Sequence, residues 1–234
     1  MEFKTEIAKA SCKGIKPIGM PNQDFILVRD NAKYMVATVS DGLGSSKHSR
    51  IGAETACEIV VLCIREAIKF KNIKALKTEI PDKWNKIISE KPGHQKDYRT
   101  ANSFVLILKN EKKIVVGRLG DVLVTVSVDG KLCNMDIHEK DFINETDCLG
   151  SQNKEEYKVS AFNFEKNFDL LIASDGFADE LVLDKMDALF DFLKVKYIQS
   201  PKKQRNQLLK KDIAINMSNK NSDDKSIVFI CSNN

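Results

Sequence analysis

Two apolar runs in this chain end in the same three residues. Val36-Ala37-Thr38-Val39 leads into Ser40-Asp41-Gly42, and Leu170-Leu171-Ile172-Ala173 leads into Ser174-Asp175-Gly176. A short apolar run closed by a glycine reads as a buried strand, and the glycine lets the backbone turn away. Each carboxylate is then fixed at a strand end, where a fold can aim residues from distant segments at one point. Two carboxylates held together repel one another, and a cation relieves that repulsion. Hard divalent cations take oxygen ligands, so converging carboxylates would suit Mg²⁺ or Mn²⁺. Taken singly, each phrase is also an ordinary turn, because Asp-Gly is a common turn dipeptide. What accompanies the two phrases decides between these readings.

Strand patterns cover 25–28 and 34–40, joined by the polar turn Arg29-Asp30-Asn31. From 51 to 70 the period changes: Ala56, Ile59, Val60, Cys63, Ile64, Ala67 and Ile68 recur at three- and four-residue steps, which predicts an amphipathic helix. A second helix is expected over much of 73–90, interrupted near Pro81 and ended by Lys91-Pro92-Gly93-His94. Strands follow over 104–108, 114–119 and 122–128, with hairpin connections at 110–113 and 129–130. Further strands are expected at 162–164, 170–174 and 227–231, and helices at 186–197 and 202–217, with Pro201 suited to a first turn. This order lacks the regular alternation of a parallel α/β fold and suits antiparallel sheets with helices packed outside, in one domain over residues 1–234.

Composition narrows the function classes. At 234 residues the chain can bury a full core. A net charge of +4, carried by scattered lysines, is too small to argue for nucleic acid. No apolar stretch reaches the roughly 18 residues of a membrane span, and Met1-Glu2-Phe3-Lys4-Thr5-Glu6 does not read as a secretory signal. Six cysteines, none in a Cys-x-x-Cys pair, read as reduced thiols of a cytoplasmic protein, and with only three histidines they do not suggest zinc.

More acidic residues stand at element ends. Asn22-Gln23-Asp24 precedes the first of these strands, Gly120-Asp121 separates two others, Asp179 lies four residues past Asp175, and Asp223-Asp224 precedes the last. Singly these are polar loop residues. As a set abutting apolar runs they support the cation reading.

In this order the residues resemble the metal-dependent serine/threonine phosphatases of the type 2C class. The resemblance runs from about Cys12 to Ile230. It is carried by Asn22-Gln23-Asp24, Asp41-Gly42-Leu43-Gly44, Thr100-Ala101-Asn102-Ser103, Gly120-Asp121, Ser174-Asp175-Gly176-Phe177-Ala178-Asp179 and Asp223-Asp224-Lys225-Ser226. Asn144-Glu145-Thr146 followed by Leu149 is similar to a bacterial subgroup. The resemblance implies an α+β fold, a four-layer α-β-β-α sandwich of two antiparallel sheets flanked by helices. It implies that Asp41 bridges two Mg²⁺ or Mn²⁺ ions, that the Gly42 carbonyl completes the second ion's shell, and that Asp175 and Asp223 hold the first. Asp24 would anchor the outer shell, with Gln23 where the family often has Glu. Asp121 and Asp179, with Asp175, would form a third, weaker site.

The implied chemistry is hydrolysis of phosphoserine and phosphothreonine by a water activated between two ions. The implied partners are a phosphoprotein substrate and a cognate kinase or its targets, for a monomer free of nucleic acid and membrane. The sequence has no Cys-x5-Arg phosphatase loop, in keeping with a reaction that needs no protein nucleophile. Besides Gln23, it departs from the family pattern in two further places. Where many members carry a phosphate-binding Arg it has Gly19, leaving Lys13 and Lys16 as nearby cations, and where eukaryotic members often carry His it has Leu43. The first departure motivates the alternative of a pseudophosphatase that binds phosphoproteins or a kinase without turnover.

Overall fold

A computed structural model describes residues 4–16, 19–133, 147–151, 155–217 and 220–233. The Asn144-Glu145-Thr146 motif and Asn219 lie outside the described residues. Among the described residues the chain forms two antiparallel five-stranded sheets flanked by helices, an α+β fold. Along the chain the strands and helices are β1 (Lys4–Cys12), β2 (Phe25–Asp30), β3 (Tyr34–Gly42), α1 (Ser49–Lys69), α2 (Leu76–Ser89), β4 (Thr100–Leu108), β5 (Lys113–Leu119), β6 (Leu123–Val128), β7 (Lys131–Cys133), β8 (Lys158–Asn163), β9 (Phe168–Ala173), α3 (Asp175–Ala178), α4 (Met186–Leu193), α5 (Lys202–Asn216) and β10 (Lys225–Asn233). The chain divides into two compact units, one of 1–22, 123–137 and 164–234, the other of 23–122 and 138–163.

The unit of 23–122 and 138–163 holds the sheet β2-β3-β4-β5-β8, every neighbouring pair antiparallel. The three- and four-residue steps of α1 bury Ala56, Ile59, Val60, Cys63 and Ile64 against Val36, Phe104, Leu106 and Val115. Each fully buried aliphatic side chain of this kind contributes about 1.5–3 kcal/mol over its exposed state. Trp84 of α2 closes the cluster and donates its indole N–H to the Gly52 carbonyl at 3.0 Å.

The expected interruption at Pro81 does not occur, and α2 is continuous. Proline has no N–H for the carbonyl four residues back, which here is Lys77. That carbonyl instead accepts from the Tyr157 N–H at 3.0 Å, so the helix keeps its course. The polar pair Arg29-Asp30 belongs to β2 rather than to the turn, because Asp30 pairs with Met35.

The other unit holds the sheet β1-β10-β9-β6-β7, again with antiparallel neighbours. Its core joins Leu171, Ala173, Ile227 and Phe229 of the sheet to Phe190, Leu193, Tyr197, Leu209 and Ile213 of the helical layer. The helix expected to 197 leaves α geometry at Leu193 and continues as one turn of π-helix over Lys194–Ile198. Pro201 stands at the cap of α5, one position before the first turn.

Strand β1 was absent from the sequence reading. Its inward face is Glu6, Ala8, Ala10 and Cys12, small or charged residues that give no apolar alternation. Glu6 is tolerated there because Arg205, itself buried, binds its carboxylate at 2.8 Å and the Ile198 carbonyl at 2.8 Å.

Candidate metal centre

In the unit of 23–122 and 138–163, sheet register assembles one acidic group. Phe25 pairs with Ser40 across β2 and β3, so Asp24 just precedes that last rung on one side and Asp41 just follows it on the other. Asp24 is 1% exposed, and Asp41 is half-buried. Their backbone is held from several directions. Arg50 donates to the Asp24 carbonyl and lies over the Phe25 ring at 4.7 Å, and Thr100 Oγ1 donates to the Asp41 carbonyl at 2.6 Å. Gln23, which stands where the family often has Glu, donates its amide to Ser49 Oγ at 2.6 Å and so ties this segment to the start of α1. Gly42 has to be glycine, because a Cβ there would lie 2.8 Å from the Gln23 carbonyl oxygen and 2.9 Å from Ser49 Cβ. Asp121 is exposed and follows Gly120, which packs on Ala101, the residue paired with Asp41. Asp121 is therefore at the same end of the sheet but beyond β4.

The second group forms in the other unit. Ile227 pairs with Ala173, and the next rung is closed by Ser174 N–H on the Ser226 carbonyl (3.0 Å) and Ser226 N–H on Ser174 Oγ (2.9 Å). The chain then leaves β9 as α3, with Asp175 as its first residue, and the Asp179 N–H donates to the Asp175 carbonyl one turn on. A Cβ on Gly176 would meet the Asp224 carbonyl oxygen at 2.2 Å and Asp223 Cβ at 3.0 Å, so only glycine lets the 221–224 loop lie against α3. Asp223 is thereby set against Gly176, the residue that follows Asp175.

The two aspartates of this loop have different surroundings. Asp224 is 3% exposed and accepts from the Gly14 N–H (2.8 Å) and Lys16 Nζ (2.6 Å). Asp223 is exposed. Lys16, a candidate for the substrate phosphate, therefore directs its charge at a carboxylate, while Lys13 is exposed.

The donors fit a hard cation. They are carboxylates and a carbonyl, and Mg²⁺ keeps several waters while using one or two carboxylates. Among the described residues no three His, Cys, Asp or Glu side chains form a ready-made metal cluster. Soft-donor or thiolate chemistry is disfavoured. Burial pushes the Cys57, Cys63 and Cys148 thiols up to about 11 and Cys231 up to about 12, leaving them protonated near neutrality.

Sequence reasoning missed the residues that hold these carboxylates in place: Thr100 and Arg50 in one unit, Asn221 and Lys225 in the other. Thr100 was noticed only as part of a polar stretch. No periodicity could reveal that Lys225 is 2% exposed.

The sequence profile described as Protein phosphatase 2C matches residues 17–213. No curated protein matches the chain. Among solved structures it is similar to the S. agalactiae serine/threonine phosphatase, with TM-score 0.65 and 16% identity over 97% of this chain and 99% of that one. It is also similar to the catalytic domain of the serine threonine protein phosphatase PstP in complex with 2 manganese ions (TM-score 0.61, 16% identity, 98% and 99% covered). A third similar structure is RsbX in complex with magnesium (TM-score 0.60, 14% identity, 100% and 97% covered). At such identities the likeness is one of fold.

Proposed function

The chain belongs to the protein phosphatase 2C family, and from that premise we propose that it is a metal-dependent phosphatase acting on phosphoserine and phosphothreonine in proteins. The observation that supports it most is the acidic set at element ends: Asp24 just before β2 and Asp41-Gly42 closing β3 in one unit, Asp175 opening α3 and Asp223 just before β10 in the other. The manganese and magnesium in the similar structures support divalent cations as the group these carboxylates would hold.

In this reading Asp41, the Gly42 carbonyl, Asp175 and Asp223 would hold Mg²⁺ or Mn²⁺, and Asp24 would anchor the outer shell. Asp121 and Asp179, with Asp175, would hold a further, weaker-bound ion. Bound divalent cations would lower the pKa of a water toward neutrality and offset charge on the phosphoryl oxygens.

The chain's own residues supply placement. Thr100 fixes the Asp41 carbonyl, and the Gln23–Ser49 bond fixes the segment that carries Asp24 into β2. Lys13 and Lys16 are the proposed phosphate cations, Lys13 being the more available because Lys16 is paired with Asp224. The products are a serine or threonine hydroxyl and inorganic phosphate. The proposal extends to a single catalytic domain over 1–234, working as a monomer in the cytoplasm on phosphoproteins, including those of a cognate kinase. Among the described residues no helix is long and apolar enough to cross a membrane.

The test is release of inorganic phosphate from a phosphothreonine peptide. Release with Mn²⁺, its loss with chelator, and a fall of 100-fold or more in Asp41→Ala are expected. Gly19 in place of an arginine favours a second reading, a binding module. Tight phosphopeptide binding with no release at any Mn²⁺ concentration would establish that reading and overturn the first.

A further inference from the structure

Lys225 is the first residue of β10 and is 2% exposed. A buried ammonium is costly unless every donor is satisfied. Its three donors match three oxygens of the preceding loop: the Asn221 carbonyl (3.1 Å), Asn221 Oδ1 (2.6 Å) and the Asp223 carbonyl (2.9 Å). These are neutral oxygens, so the lysine organises backbone as a small bound cation would. Asn221 extends the arrangement in two directions. Its Oδ1 accepts from the Asp223 N–H at 3.2 Å, and its Nδ2 donates to the Gly176 carbonyl at 3.0 Å and to Glu180 Oε1 at 3.3 Å. Both backbone groups of Asp223 are thus held while its side chain is exposed, and the loop is tied to α3, where Asp175 sits.

We propose that Lys225 and Asn221 are positioning residues that wrap the 221–223 loop around a buried ammonium and so present the Asp223 carboxylate beside Asp175. This rests on the reading of Asp223 as a metal ligand. It also accounts for the division of labour in the Asp223-Asp224 pair, since Asp224 turns inward to Gly14 and Lys16.

Mn²⁺ affinity measured by titration calorimetry tests it, in the parent, Lys225→Met, Asn221→Ala, Asp223→Asn and the Lys225→Met/Asp223→Asn double variant. Supporting residues around a metal typically change affinity by roughly 10–100-fold when lost. Lys225→Met and Asn221→Ala are expected to weaken Mn²⁺ binding by at least about tenfold. Lys225→Met is expected to add nothing in the Asp223→Asn background, because its effect passes through that carboxylate. A general effect on folding would instead be additive, and additivity overturns the proposal. Should Lys225→Met fail to fold, Asn221→Ala carries the same expectation. A parent that binds Mn²⁺ beside variants that bind it within twofold refutes the positioning role and leaves the phosphatase reading standing. A parent that binds no Mn²⁺ refutes both.

Discussion

Gly176→Ala probes the contact between the two acidic arms of one unit. The added Cβ would lie 2.2 Å from the Asp224 carbonyl oxygen, 3.0 Å from Asp223 Cβ and 3.2 Å from the Asp224 carbonyl carbon. To restore ordinary contact at 3.4 Å the loop and α3 must separate by about 1.2 Å. Backbone strain plays no part, since alanine suits a helix better than glycine does. The obstructing atom is backbone, flanked by a carbonyl that Lys225 grips, so it cannot swing aside like a side-chain tip. Overpacking of this kind costs about 1–3 kcal/mol, which a chain of this size survives. The functional cost is similar in free energy, because a displacement of ~1 Å at a reacting centre is worth on the order of 100-fold, or about 2.7 kcal/mol. Urea unfolding should show a folded variant of reduced stability, and Mn²⁺-dependent phosphate release should fall by about 100-fold. Release within twofold of the parent would refute the idea that this contact sets the spacing of Asp175 and Asp223.

Tyr157→Phe removes the hydroxyl that donates to Asn102 Oδ1 at 2.7 Å in a fully buried setting, and urea unfolding should register a loss of about 1–3 kcal/mol. Arg205→Met strips the guanidinium from buried Glu6. Because Lys4 (3.1 Å) and Lys202 (3.7 Å) remain, the loss should fall near the lower end of the usual 3–5 kcal/mol, read from the same denaturation curves. Burial pushes the Glu155 carboxyl up to about 7 from its ordinary 4.5, against the opposing pull of the Gly150 N–H. Between those values the native state holds a proton that the unfolded state has released, so stability falls as pH rises across that window. Glu155→Gln should flatten this slope between pH about 5 and 7.5, and an unchanged slope would refute the assignment.

The strand ends that carry the acidic residues were legible because these residues are punctuation. An apolar run followed by Asp-Gly marks a strand end whatever the tertiary context, and β3 and β9 end within two residues of where 34–40 and 170–174 were expected to end. The helix α1 was legible because its apolar residues repeat at the helical period. What escaped reading depends on partners far away in sequence. Strand β1 buries Glu6 only because Arg205 is there to meet it. Pro81 continues a helix only because Tyr157 takes the carbonyl it abandons. Lys225 carries no local sign of burial, since the oxygens that make burial tolerable belong to a loop that folds back on it.

The central claim is that Asp41 and Asp175 are each needed to hold the divalent cations of the proposed phosphatase. Titration of Mn²⁺ into the parent, Asp41→Ala and Asp175→Ala tests it most directly, with one substitution in each unit. The claim predicts that either substitution alone abolishes the high-affinity Mn²⁺ binding of the parent. Retention of high-affinity binding in either variant, or its absence from the parent, would contradict it.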